Sequence, residues 1–110
     1  MKEIFKGKNC PVARSSALVG DMWTMLIIRD LLAGRRRFIE LQSTLISSTN
    51  RKINSRTLCS RLRMLEMRKV LIRKEFLHEL PPHVEYSLTP KGKALSAVID
   101  KIRQYGEKYP

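Results

Sequence analysis

Between Arg51 and Lys74 the chain places nine basic residues against a single acid, Glu66. They are Arg51, Lys52, Arg56, Arg61, Arg63, Arg68, Lys69, Arg73 and Lys74. A second cluster, Arg35-Arg36-Arg37, stands just upstream. Guanidinium and ammonium groups at this density are suited to holding phosphate, and arginine can also read guanine edges through its planar fork. The run is interleaved with Leu58, Leu62, Leu65, Val70, Leu71 and Ile72, which a disordered basic tail lacks. The cations therefore sit on one side of an amphipathic, folded surface. Over 110 residues the formal net charge is +12. That surplus points to nucleic acid first and an anionic membrane surface second. Surplus charge kept only for solubility is the plain alternative, and solubility seldom needs so much of one sign.

Other chemistries find little support. No nucleophile–base pair, glycine-rich phosphate loop or carboxylate cluster is legible, so an enzyme is disfavoured. Two cysteines, Cys10 and Cys59, and two histidines, His78 and His83, make neither a disulfide framework nor a metal site, and no cofactor is expected. The longest strongly apolar stretch, Met25-Leu26-Ile27-Ile28, is far short of a membrane span. The first sixteen residues lack the apolar core of a secretory signal, which makes a cytoplasmic location the expectation. Basic residues here do not flank an aromatic-rich face, so a membrane partner is not expected either.

The elements that must position the cations follow from periodicity and punctuation. Pro11 opens a short helix reaching about Val19, because a proline at the first helical position loses no hydrogen bond. Asp21 is a good cap for a second helix from about Met22 to Ala33, apolar nearly all round and therefore central, with Gly34 closing it. Trp23 and the methionines are expected in core or dimer packing. A helix from about Arg37 to Leu45 follows, then a polar break over residues 47–52. Asn54 or Ser55 caps the next helix, which runs to about Arg68 with Leu58, Leu62 and Leu65 inward. Residues 70–76 and 84–88 read as a hairpin around Pro81-Pro82. Thr89-Pro90 starts a last helix with a stripe of Leu95, Val98, Ile99, Ile102 and Tyr105, extended by Tyr109. A small domain cannot bury so long a stripe alone, so its expected partner is the same helix of a second copy.

Two helices joined by a turn, the second arginine-rich and followed by a hairpin, describe a winged helix-turn-helix. The fold class is thus α+β, mostly helical, with a two-stranded β-hairpin wing and terminal dimerisation helices. One domain over 1–110 is expected: the helix-turn-helix at about 37–68, the wing at 70–89, and dimerisation helices at 10–19 and 90–108. On the helix from Ser55 the outer face comprises Arg56, Ser60, Arg63 and Met67, flanked by Thr57, Arg61 and Met64. Residues early in a recognition helix reach base edges, which selects Ser55, Arg56, Thr57 and Ser60. Arg61 and Arg63 are expected to read guanine or clamp phosphate. Arg51, Lys52 and Asn54 are expected to hold phosphate where the helix begins. On the wing, Arg73, Lys74, His78 and His83 are candidates for backbone or minor groove, a plain loop residue being the alternative for either histidine. Arg35-Arg36-Arg37 either touches phosphate or only solubilises.

The chain resembles the HxlR-type family of winged-helix transcription regulators. The resemblance runs from Cys10 to about Tyr105. It rests on Cys10-Pro11-Val12, Gly20-Asp21-Met22-Trp23 leading into Leu26-Ile27-Ile28-Arg29-Asp30-Leu31-Leu32, and Phe38-Ile39-Glu40-Leu41. It continues through Leu58-Cys59-Ser60-Arg61-Leu62 and Pro81-Pro82-His83-Val84-Glu85-Tyr86-Ser87-Leu88-Thr89 with Gly92. It implies a homodimeric repressor or activator of double-stranded DNA, dimerised through its terminal helices. In several relatives the cysteine at the position of Cys10 senses oxidants or electrophiles, so an oxidant or small-molecule signal is a further implied partner and Cys10 a candidate sensor. The helix N-terminus, with Lys6 and Lys8 close in sequence, favours a thiolate there; a small buried residue is the alternative reading. Two departures from the family pattern stand out. The turn between Leu45 and Ile53 reads as several residues longer than usual, and Lys69 stands where a glycine is common, which implies a different closure of the preceding helix. A less specific nucleoid- or RNA-associated binder accounts for the charge but not for the wing or the long apolar last helix.

Overall fold

The computed structural model describes residues 10–110. Helix α1 spans Pro11–Val19 and α2 Met22–Leu32; strand β1 is Arg36–Arg37; α3 is Phe38–Thr49 and α4 Ser55–Met67. Strands β2 (Leu71–Phe76) and β3 (His83–Leu88) follow, then α5 (Pro90–Lys93) and α6 (Ser96–Lys108). Lys6 and Lys8 lie outside the described residues.

The core forms where the apolar faces of α2, α3 and α4 meet the sheet. Ile27, Ile28, Leu41, Leu45, Leu58, Leu65 and Val70 are wholly buried, and Ile53, Leu62, Leu71, Tyr86 and Leu88 nearly so. Each junction is set by local chemistry. Asp21 caps α2, Asn54 caps α4 and Thr89 caps α5, each accepting from the backbone N–H three residues on. Gly34 follows α2 with φ of +142°, a conformation that suits glycine.

Four local expectations are corrected. Helix α3 continues one turn past Leu45, because Thr49 and Ser47 turn their hydroxyls back onto carbonyls four residues earlier instead of competing with the helix. Asn50, in the left-handed region at φ 55°, then ends it. The interhelical segment is accordingly short, not extended. Helix α4 closes as a glycine-terminated helix does, with Lys69 itself at φ 60°. Val70 N–H donates to Leu65 O at 2.9 Å and Lys69 N–H to Glu66 O at 3.0 Å, the paired bonds of a Schellman end. The sheet has three strands in the order β1-β3-β2, all antiparallel, because Arg36 and Arg37 pair with Tyr86 and Glu85 of the hairpin. The last helix is broken at Ala94–Leu95 into α5 and α6.

Gly92 is required by packing. A β-carbon there would stand 2.2 Å from Val70 O and 3.0 Å from a Leu88 methyl. Thr89 also donates its hydroxyl to Lys69 O at 2.6 Å, so the start of α5 is sutured to the end of α4. Helix α6 buries none of its residues, while Leu95 and Ile99 lean on the core. Val98, Ile102, Tyr105 and Tyr109 remain exposed along it. Among the described residues no helix is long and apolar enough to cross a membrane.

Candidate nucleic-acid interface

The turn between α3 and α4 is held from beneath. Ile53 is buried, and Gln42 of α3 donates its amide to Ile53 O at 3.2 Å. Anchoring Ile53 leaves Arg51 and Lys52 on the surface beside the start of α4. Asn54 spends its Oδ1 on the N–H of Thr57 at 2.8 Å, which fixes where α4 begins.

With Leu58, Leu62 and Leu65 inward, α4 presents Ser55, Arg56, Cys59, Ser60, Arg63, Glu66 and Met67 to solvent; Thr57 and Met64 are half-buried at its edges. Strand β2 lies alongside. A cleft of about 330 Å³ between them is lined by Cys59, Leu62, Arg63, Glu66, Arg73 and Tyr86. Arg63 and Arg73 therefore belong to one surface although ten positions separate them in sequence. Glu75 and then Tyr86 engage the Arg73 guanidinium and hold it charged.

Three candidates stand elsewhere. Arg61 turns toward the start of α2: its Nε donates to Asp21 Oδ2 at 2.9 Å and its Nη2 to Oδ1 at 3.4 Å. The same Oδ2 accepts from Thr24 N–H and from the wholly buried Thr24 hydroxyl. Partial burial pushes the Asp21 carboxyl up, but the hydrogen bonds from Arg61 and Thr24 outweigh it and hold the carboxyl below its ordinary value. Lys74 pairs across the ladder with Glu85, on the face of the wing opposite Arg73. Its Nζ sits 5.3 Å from the centre of the Phe76 ring. His83 shares that face and is enclosed there. Its ring stacks on Phe76 at 5.0 Å, Nδ1 lies 3.0 Å from Pro81 O, and Nε2 lies 3.0 Å from Glu85 Oε2. With its side chain only 9% exposed and both nitrogens engaged, His83 holds the hairpin's shape.

Arg35, Arg36 and Arg37 line a groove of about 500 Å³ with Ile39, Glu40 and Glu85, and Arg35 Nε is 3.4 Å from Glu85 Oε1. Cys10 is buried at the start of α1. Cys59 is exposed on the outer face of α4. Its spacing of three from Arg56 and four from Arg63 is the sequence sign that it shares their face. Among the described residues no group of three His, Cys, Asp or Glu side chains is placed to hold a metal.

Residues 18–110 match the family model described as HxlR-like helix-turn-helix. The chain belongs to the HxlR-like helix-turn-helix family. It is 36% identical over 102 residues to the helix-turn-helix-type transcriptional regulator YdeP of Bacillus subtilis, covering 93% of this chain and 75% of that protein. Among solved structures it resembles a protein of Porphyromonas gingivalis W83 assigned to the MarR family of transcriptional regulators, with TM-score 0.84, 30% identity and coverage of 96% and 98%. It also resembles the redox regulator HypR in its oxidized form, with TM-score 0.78, 31% identity and coverage of 92% and 98%. The HxlR-like chain is thus a winged-helix transcriptional regulator, and its family implies binding to DNA.

Proposed function

We propose that this HxlR-like regulator binds a palindromic double-stranded DNA site as a homodimer, with α4 in the major groove. The observation that carries this is the outer face of α4, where Arg56, Ser60 and Arg63 project at helical spacing from a helix fixed on its other side by three buried leucines. A major groove admits one such helix. Ser55, Arg56, Thr57, Ser60 and Arg63 read base edges; Arg51, Lys52 and Asn54 hold phosphates where α4 begins. Arg73 meets the backbone next to α4, and Lys74 meets it from the other face of the wing. Arg61 and His83 act as scaffolding, the first orienting α4 against α2 and the second shaping the wing.

The homodimer rests on α6 and α1. The exposed Val98, Ile102 and Tyr105 form an apolar line on α6, and Val12 is exposed on α1. A second copy laid on this line removes it from water and sets the spacing between two α4 helices. Cys10 at the start of α1 then lies on an element of the interface, where an oxidant signal could alter dimer geometry. The likeness to HypR, named a redox regulator, supports that reading.

In-vitro selection from a random DNA pool, with and without reductant, tests the proposal. The expected product is an inverted repeat with half-sites about 34 Å apart, one helical turn. Affinity should fall steeply with salt as phosphate contacts release counterions. A pool that emerges without a common sequence would support the less specific nucleoid- or RNA-associated reading. A Cys10→Ser protein whose DNA binding responds to diamide as the wild type does would remove the redox element.

A further inference from the structure

The reading face of α4 is not uniformly polar. A groove of about 440 Å³ along it is lined by Arg56, Cys59, Ser60, Arg63, Met64 and Met67. Cys59 is exposed on it, three residues after Arg56 and four before Arg63, and Met67 is 78% exposed one turn beyond Arg63. A thiol and a thioether gain nothing from phosphates, and held between guanidinium groups they are poorly matched to bulk water. The neighbouring cations nonetheless select a polyanion as the occupant of this face. On the major-groove edges of DNA one apolar group is displayed, the C5-methyl of thymine.

We propose that Cys59 is a specificity-determining residue, its Sγ packing on the C5-methyl of a thymine adjacent to the base pairs met by Arg56 and Arg63. The inference rests on the placement of α4 in the major groove and adds one base to what that helix recognises. Side chains three and four apart on a helix cover neighbouring patches of one face. Cys59 is therefore central among the three, and the thymine should fall inside the half-site, not at its edge.

The test replaces each thymine of the selected site in turn by deoxyuridine, which removes only the methyl. Binding is measured under reductant with the full chain. At one position per half-site the wild type should lose about fourfold in affinity, the Boltzmann factor for one buried methyl-sized group. In Cys59→Ser the thymine and deoxyuridine sites should bind equally, whereas Cys59→Val, still apolar, should keep the preference. Cys59 is on the surface, so both variants should melt with the wild type, and this is checked by circular dichroism. A Cys59→Ser protein that keeps the deoxyuridine penalty at the same position overturns the proposal. So does a wild type that distinguishes its site from scrambled DNA yet ignores every deoxyuridine replacement, a result that leaves the placement of α4 standing. Binding with no sequence preference would overturn both.

Discussion

Asp21 joins three functions in one carboxylate, and its removal can be worked through in detail. It caps α2 through Thr24 N–H, accepts from the wholly buried Thr24 hydroxyl, and holds Arg61 of α4 at 2.9 Å. In Asp21→Ala the lost cap costs about 1 kcal/mol. The Thr24 hydroxyl, left buried without its acceptor, costs about 1 kcal/mol more. The half-exposed pair with Arg61 adds about 0.5 kcal/mol. The total of about 2.5 kcal/mol corresponds to a fall in Tm of roughly 10 °C for a domain of this size. Thermal and urea denaturation would measure it. A Thr24→Val background isolates the buried-hydroxyl part, since the Asp21 substitution there should cost about 1 kcal/mol less. The pH dependence carries a definite sign. The folded carboxyl lies below its ordinary 3.8, so its contribution is complete above that value and fades as pH falls through the lower folded value. The gap between wild type and Asp21→Ala should narrow as the carboxyl is protonated in acid. A loss below about 0.5 kcal/mol at neutral pH would place Asp21 among ordinary surface residues and refute the reasoning.

Three further outcomes follow. Lys69→Gly should stabilise the protein by about 0.5 kcal/mol, because relief of a left-handed lysine exceeds the extra chain entropy of glycine, while Lys69→Val should destabilise it; melting curves give both signs. Gly92→Ala should cost about 2–3 kcal/mol in urea denaturation, since its β-carbon has no room beside Val70 O. Ile102→Glu should run as a monomer in sedimentation at concentrations where the wild type is a dimer, and should lose affinity for a two-half-site operator while its melting is little changed.

What the amino-acid sequence made legible was whatever depends on near neighbours. Pro11, Asp21, Asn54 and Thr89 announce helix starts because a cap acts within one turn. Leu58, Leu62 and Leu65 reveal the orientation of α4 because the helical period is fixed. Features decided across the fold were not legible. Arg61 looks like any other cation of the recognition helix until Asp21, forty positions away, arrives beside it. His83 resembles an exposed loop residue until Phe76 and Glu85 close around it. The length of α3 was hidden by Ser47, Ser48 and Thr49, whose composition signals a loop and whose hydroxyls instead bond back along the helix. The pairing of Arg36 and Arg37 with β3 is too short to leave a periodic trace.

The central claim is that the outer face of α4 reads base sequence while Arg61 serves the scaffold. A base-substitution scan of one selected half-site, titrated with wild type, Arg63→Ala and Arg61→Ala, tests it directly. Arg63→Ala should lose about 10- to 100-fold on the preferred site and become indifferent to one base pair, in line with a lost side-chain-to-guanine contact. Arg61→Ala should keep the full base preference and lose mainly thermal stability. Indifference appearing in Arg61→Ala and not in Arg63→Ala would contradict the account.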